Sequence, residues 1–282
     1  MIGLSNFIGS IENYDEARVV VFGAPFDCTS SFRPGSRFAP EVMRKESWGL
    51  ETYSPYQDKD LEEVSVYDAG DLELPFGNAV KALEQLRKFT EEVVSRGKMP
   101  VMIGGEHLMT LGVFQAVHAK YNDVCIVHFD AHTDLREDYL GEKLSHATVI
   151  RRIHDIAGDG RIFQFGIRSG EKEEFEFAER TGFINKFNLN GIDGVVEKLK
   201  GKPVYITLDL DVLDPSVMPG TGTPEPGGAS FMELLGVMIK LGELNVVGFD
   251  IVELAPNYDQ SGISTAAACK IWREMLLSFC SK

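Results

Sequence analysis

The chain has 282 residues, 44% of them hydrophobic and 10% aromatic, the composition of a globular protein with a sizeable core. Its formal net charge of −15 leaves no basic stripe to neutralise phosphates, which argues against nucleic acid and is compatible with a small cationic ligand. No apolar run approaches the roughly 20 residues of a membrane span, the N-terminus has no basic segment, and Cys28, Cys125, Cys269 and Cys280 form no C-x-x-C pair, so a soluble cytoplasmic protein is expected.

The first apolar run is RVVVFG (18–23). A long connector, 24–60, follows; it contains SFRPGSRFAP and YSPYQDKD and reads as a functional rim. Residues 78–97 carry a helical stripe of Val80, Leu83, Leu86, Val93 and Val94 that stops at Gly97. Next come a strand in MPVMIGG (99–105), a helix over 107–121, and strands in DVCIVHFD (123–130), RIFQFGIR (161–168) and PVYITLDLD (203–211). A second rim, 212–229, is dense in Pro and Gly; a helix over 230–244 and a strand in NVVGFDIVEL (245–254) follow. Continuous apolar runs suit strands buried on both faces. Their alternation with helices predicts an α/β fold with a mostly parallel sheet, in one domain over 1–282 without repeat or linker.

In such sheets ligands sit beyond the carboxyl ends of the strands. Those ends carry Gly104–Gly105–Glu106–His107, then Asp130-x-His132-x-Asp134, then Asp209-x-Asp211, then Glu253. Side chains two apart share a face while the chain stays extended. Each residue has a plain alternative: His107 and Asp134 as helix caps, Asp209 and Asp211 as turn formers. Together, four aspartates and two histidines at neighbouring ends would repel without a cation. Six such ligands are too many for one tetrahedral zinc and suit two divalent ions with carboxylates bridging them. Oxygen-rich ligation without thiolate favours manganese, and two ions acidify a shared water towards hydroxide. His118 and His154 lie in helical stretches away from these ends, and His128, inside its strand, reads as a core or supporting residue.

GGEH (104–107), FDAHTD (129–134), SHAT (145–148), DLDVLDP with TGTPEPGG, and VELAP (252–256) closely resemble the ureohydrolase family of arginases and agmatinases, nearest the agmatinase branch. The resemblance extends from GAPFD (23–27) through RPGSRFAP and WGLETYSP to VELAP. It implies an arginase-like three-layer α/β/α fold, two Mn²⁺ per chain, a homo-oligomer (trimer or hexamer), and hydrolysis of a guanidino group to urea and an amine. It implies that His107, Asp130, His132, Asp134, Asp209 and Asp211 are metal ligands, His107 and Asp134 binding one ion each. It also implies that His146 shuttles protons and that Glu253 pairs with the substrate guanidinium. Two departures stand out: Glu106 where many members have aspartate, and Ala147 where many have glycine.

Segment 135–148 carries Glu137, Asp138 and Glu142 and no asparagine. An acidic rim suits an amine tail, hence agmatine cleaved to urea and putrescine. Arg136 and Lys143 would instead suit a carboxylate tail, as in 4-guanidinobutyrate. Arginine hydrolysis, formiminoglutamate hydrolysis and a metal-bound polyamine-binding protein are the remaining alternatives.

Overall fold

The structure, a computed structural model, describes residues 6–281. The apolar runs become β1 (Val19–Ala24), β5 (Met99–Gly104), β6 (Cys125–Phe129), β7 (Ile162–Ile167), β9 (Pro203–Asp209) and β10 (Asn245–Val252). The sequence pattern did not announce β4 (Val66–Asp71) and β8 (Phe183–Lys186), which are the two sheet edges and carry polar side chains. All eight strands pair in parallel, in the order β4-β1-β5-β10-β9-β6-β7-β8. A separate antiparallel pair, β2 (Tyr53–Ser54) and β3 (Lys59–Asp60), stands outside this sheet.

The helices are α1 (Ala39–Ser47), α2 (Ala79–Ser95), α3 (Thr110–Lys120), α4 (Val149–Ala157), α5 (Lys172–Thr181), α6 (Ile192–Leu199), α7 (Phe231–Leu241) and α8 (Ile263–Cys280). One layer is α2 to α5; the other is α1 with α6 to α8. The strands feed both layers alternately: Cys125, Val127 and Phe129 of β6 face α1 and α6 to α8, and Ile126 faces the opposite layer. Burial on both faces is why the strands read as unbroken apolar runs.

Two expectations need correction. Segment 24–60 is not all loop, because α1 starts at Ala39 with Pro40 in its first turn. Val80 is not on the buried stripe of α2; it is 63% exposed, and the stripe runs through Ala82, Leu83, Leu86, Thr90, Val93 and Val94.

Topology places the site. The chain runs from β1 out to the edge strand β4, returns to β5 on the other side of β1, skips two positions to β6, and later comes back with β9 and β10 to fill the gap. The four central strands β5, β10, β9 and β6 therefore end together at the point where the winding changes direction, where α/β sheets open a crevice. The two rim segments close over it and hold each other: Arg33 donates to Thr221 O (2.6 Å) and Gly222 O (3.1 Å). Arg168 donates to Asp211 O (2.7 Å) and Glu225 O (2.8 Å).

Gly105, where β5 leaves the sheet, admits no side chain: a Cβ there would lie 1.9 Å from Phe26 O. Backbone cannot yield as a side-chain tip can. Gly105→Ala is expected to destabilise the protein by about 3 kcal/mol in a denaturant titration; an unchanged midpoint would contradict this packing.

Candidate metal centre

The ends of β5, β9 and β6 bring the predicted ligands into one buried cluster. His107 opens the short turn His107–Met109 after Gly105, and its ring is 1% exposed. His107 Nδ1 lies 3.1 Å from Asp130 Oδ2, 3.2 Å from Asp134 Oδ2 and 3.3 Å from Asp209 Oδ2. His132 Nδ1 lies 3.0 Å from Asp211 Oδ2 and 3.3 Å from Asp130 Oδ1. Asp130 thus turns one oxygen to each histidine. His107 Nδ1 is buried, has no hydrogen-bond partner and faces three carboxylate oxygens. The donor atoms of His107, Asp130 and Asp134 lie within 4.8 Å of one another, as do those of Asp130, His132 and Asp211. Each group could hold a cation.

Backbone amides and unusual dihedrals fix the carboxylates. Asp209 ends β9 and accepts from Asp211 N–H (2.8 Å); Asp211 accepts from Ala131 N–H (3.0 Å), tying the end of β9 to that of β6. Asp134 (φ 52°) and Glu253 (φ 63°) sit in the left-handed region, which costs a non-glycine residue on the order of 1–3 kcal/mol. Glu253 N–H donates to Gly105 O (3.0 Å), and Glu253 Oε1 accepts from His107 N–H (2.8 Å).

His128 lies near the same carboxylates, yet its hydrogen bonds exclude it as a ligand. Gln164 Nε2 donates to Thr133 O (2.8 Å), which fixes the amide orientation, and also to His128 Nδ1 (3.0 Å). Nδ1 therefore accepts, the ring proton sits on Nε2, and Nε2 donates to Asp130 Oδ2 (2.8 Å). His128 orients Asp130.

The electrostatics show what the cluster demands. Burial, then Asp211 and Asp130, push the Asp209 carboxyl well up; burial, then Asp130, push Asp134 up to about 7. Burial opposes ionisation of Asp130, but hydrogen bonds from His107, His128 and His132 outweigh it and hold Asp130 well below the usual range. For His107 and His132 burial opposes charge, and the facing carboxylates overcome it, raising both well above the ordinary imidazole value. Among these five groups, every shift except that of Asp130 retains protons. The pocket calls for positive charge, and divalent cations answer the same demand.

His146 begins a short turn capped by Ser145. Its N–H donates to Thr29 Oγ1 (3.0 Å), and its Nε2 accepts from Ser31 N–H (3.3 Å) with Ser31 Oγ at 2.9 Å. Thr29 in turn donates to Glu106 through N–H (2.8 Å) and Oγ1 (2.6 Å), so Glu106 supports the segment that holds His146. Burial, then the charges of His132 and His107, lower the His146 ring to about 4, leaving it neutral at neutral pH. His146, His132, Asp134, Tyr139 and Arg136 line a cleft of about 240 Å³. Two of the three acidic residues read as its rim are engaged elsewhere: Glu137 pairs with Arg151 (2.6 Å), and Asp138 accepts from Gly141 N–H (3.0 Å). Arg136 lines the cleft already paired with Glu171 (2.7 Å) and lying 4.9 Å from the Tyr139 ring centre.

Sequence reasoning passed over Ser31, Thr207, Gln164 and Asp250. The last three are 0–1% exposed. The available signal was a polar residue inside an otherwise apolar strand.

A sequence model of the Arginase family matches residues 17–278. The agmatinase of Bacillus anthracis is 50% identical over 277 residues, covering 97% of this chain and 96% of that one. The N(1)-aminopropylagmatine ureohydrolase of Thermococcus kodakarensis is 38% identical over 249 residues, covering 86% and 84%. The structure of the agmatine ureohydrolase of Thermoplasma volcanium superposes with a TM-score of 0.89 at 37% identity, covering 99% of this chain and 95% of that one. A buried aspartate–histidine cluster at the central strand ends, and a match that spans all four of those ends, lead to one conclusion: the chain belongs to the arginase family of hydrolases.

Proposed function

We propose that the protein hydrolyses the guanidino group of agmatine to urea and putrescine at a centre of two manganese ions. The carrying observation is the pair of histidine–carboxylate groups that share Asp130, with His107 Nδ1 buried and unpartnered in one of them. His107, Asp130, Asp134 and Asp209 would hold one ion, and His132 and Asp211 would hold the second together with Asp130. Their oxygen-rich donor set favours manganese. When bound, the ions would supply Lewis acidity that makes water nucleophilic near neutral pH.

The chain's own groups take up the remaining work. Glu253 keeps Oε1 on the His107 amide, and its second oxygen is available to a guanidinium N–H in a charge-assisted hydrogen bond. Burial, then Glu106, hold the Glu253 carboxyl well up, so a cationic substrate stabilises its ionised form. The C–N bond to the alkyl nitrogen breaks only if that nitrogen gains a proton. His146 lines the cleft as a neutral ring; once Ser31 releases its Nε2, that nitrogen can take a proton from the attacking water and pass it to the departing amine.

The tail of agmatine is a cation. Arg136, the cation lining the cleft, is neutralised by Glu171 and Glu174, which removes the obvious anchor for a carboxylate tail. The relatives named for agmatine support the same choice. Arg136 favours a second reading, 4-guanidinobutyrate, if substrate draws it away from Glu171. No helix among the described residues is long and apolar enough to cross a membrane. We place the reaction in the cytoplasm, a reducing compartment in which the four free cysteines would stay thiols.

Urea release should be measured with agmatine, N(1)-aminopropylagmatine, arginine and 4-guanidinobutyrate, with and without chelator. Agmatine should give the highest kcat/KM, and chelator should abolish it. A clear preference for guanidinobutyrate would move the assignment to the Arg136 reading. Two substitutions separate metal from substrate. Asp211→Asn should reduce bound metal below two ions per chain and abolish turnover. Glu253→Gln should keep the metal and lower kcat/KM by roughly 10–100-fold, the effect of losing a hydrogen bond to a charged group. Full activity and two ions in Asp211→Asn would overturn the ligand assignment.

A further inference from the structure

One register row of the sheet is polar where the rows around it are apolar. Asp250 of β10 pairs with Thr207 of β9, Thr207 with His128 of β6, and His128 with Gln164 of β7. All four are 0–1% exposed, and the row lies two residues before Asp209 and Asp130 on their own strands. The His128–Gln164 half orients Asp130. The Asp250–Thr207 half contains a buried carboxylate that takes no part in the chemistry above.

Its hydrogen bonds run in one direction. Asp250 Oδ2 accepts from Tyr205 Oη (2.6 Å), and Asp250 Oδ1 accepts from Thr207 Oγ1 (2.6 Å). A hydroxyl has a single proton. Thr207 gives it to Asp250 and so can only accept from the third partner, His107 Nε2, at 2.9 Å. Thr110 Oγ1, 3.4 Å from Thr207 Oγ1, leaves this order intact, because an oxygen with two lone pairs can accept twice. His107 Nε2 must therefore carry a proton. In a neutral ring Nδ1 is then bare, and Nδ1 is the atom that faces Asp130, Asp134 and Asp209 without a partner of its own.

We propose that Asp250 and Thr207 are positioning residues: through one hydroxyl they fix His107 as the tautomer protonated on Nε2 and so present Nδ1 to a divalent cation. The inference rests on the metal-centre reading above and deepens it. A carboxylate behind a ligating histidine sets ring orientation and raises ligand basicity, and losing such a partner weakens metal binding about 10–100-fold. Asp250 lies on β10, directly beside β5, whose end supplies the histidine's turn, and it reaches His107 Nε2 through Thr207 of β9.

The test is Mn²⁺ affinity of the purified full chain, read as free Mn²⁺ by electron paramagnetic resonance during titration, beside thermal unfolding. Thr207→Val keeps the side-chain shape and removes the hydroxyl; it should weaken Mn²⁺ binding about 10–100-fold. Thr207→Ser restores the hydroxyl and should restore affinity. Tyr205→Phe removes the other buried hydroxyl on Asp250 but leaves the path to His107, so it should lower stability and leave affinity near wild type. Equal losses of affinity in Thr207→Val and Tyr205→Phe would reduce the row to a structural role and overturn the proposal, as would wild-type affinity in Thr207→Val. If Thr207→Val fails to fold, ¹⁵N spectra of histidine-labelled wild-type protein loaded with diamagnetic Zn²⁺ decide the matter: the His107 proton on Nε2 supports the relay, and on Nδ1 overturns it. Failure of the wild-type chain to bind any divalent ion would instead sink the metal-centre reading, and the relay with it.

Discussion

Like charge held at close range is the constraint from which the rest follows. Asp130, Asp134, Asp209 and Asp211 converge where water is scarce, and two unit charges 4 Å apart interact by about 4 kcal/mol at an effective dielectric near 20. Such a cluster persists only where a framework stiffer than the repulsion imposes it. The framework is the set of four adjacent strand ends, β5, β10, β9 and β6, whose positions are fixed by parallel ladders buried on both faces. A cation held between these groups would relieve the repulsion that the framework maintains.

The surrounding structure shows the same logic at smaller scale. The two strained backbones of the centre, at Asp134 and Glu253, are each held by neighbours: Ile150 and Arg151 N–H donate to Asp134 O, and Glu253 is fastened to Gly105 and His107. The polar row Asp250–Thr207–His128–Gln164 contacts two histidine rings from beneath, that of His107, which faces the carboxylate cluster, and that of His128, which faces Asp130. Arg168 and Arg33 tie the Pro- and Gly-rich rim to the strand ends through carbonyls, so the cleft walls share the rigidity of the sheet.

Much of this was legible in the sequence because charged residues directly after apolar runs are conspicuous. The local geometry was less so. Alternation along an extended chain was the expected way for Asp130, His132 and Asp134 to share a side, but the chain leaves β6 at Phe129 and bends, and Asp134 reaches His107 through a left-handed turn. Asp209 and Asp211 converge through a 3-10 turn at Leu210–Val212 and not through a continued strand. The rim misled for another reason: composition placed acids near the cleft, whereas pairing with Arg151 and Arg152 turns Glu137 aside. Elements without a strong apolar period also escaped. Helix α8 is buried through Ile271, Trp272, Arg273 and Glu274 alike, so no stripe marks it, and β4 and β8 are edge strands with polar positions.

The central claim is that one shared aspartate organises two cation positions. Diffraction at the manganese absorption edge, from crystals grown with Mn²⁺, tests it most directly. The account predicts two anomalous peaks per chain, one against His107 and the other against His132, with Asp130 touching both. A single peak, or peaks away from these residues, would contradict it.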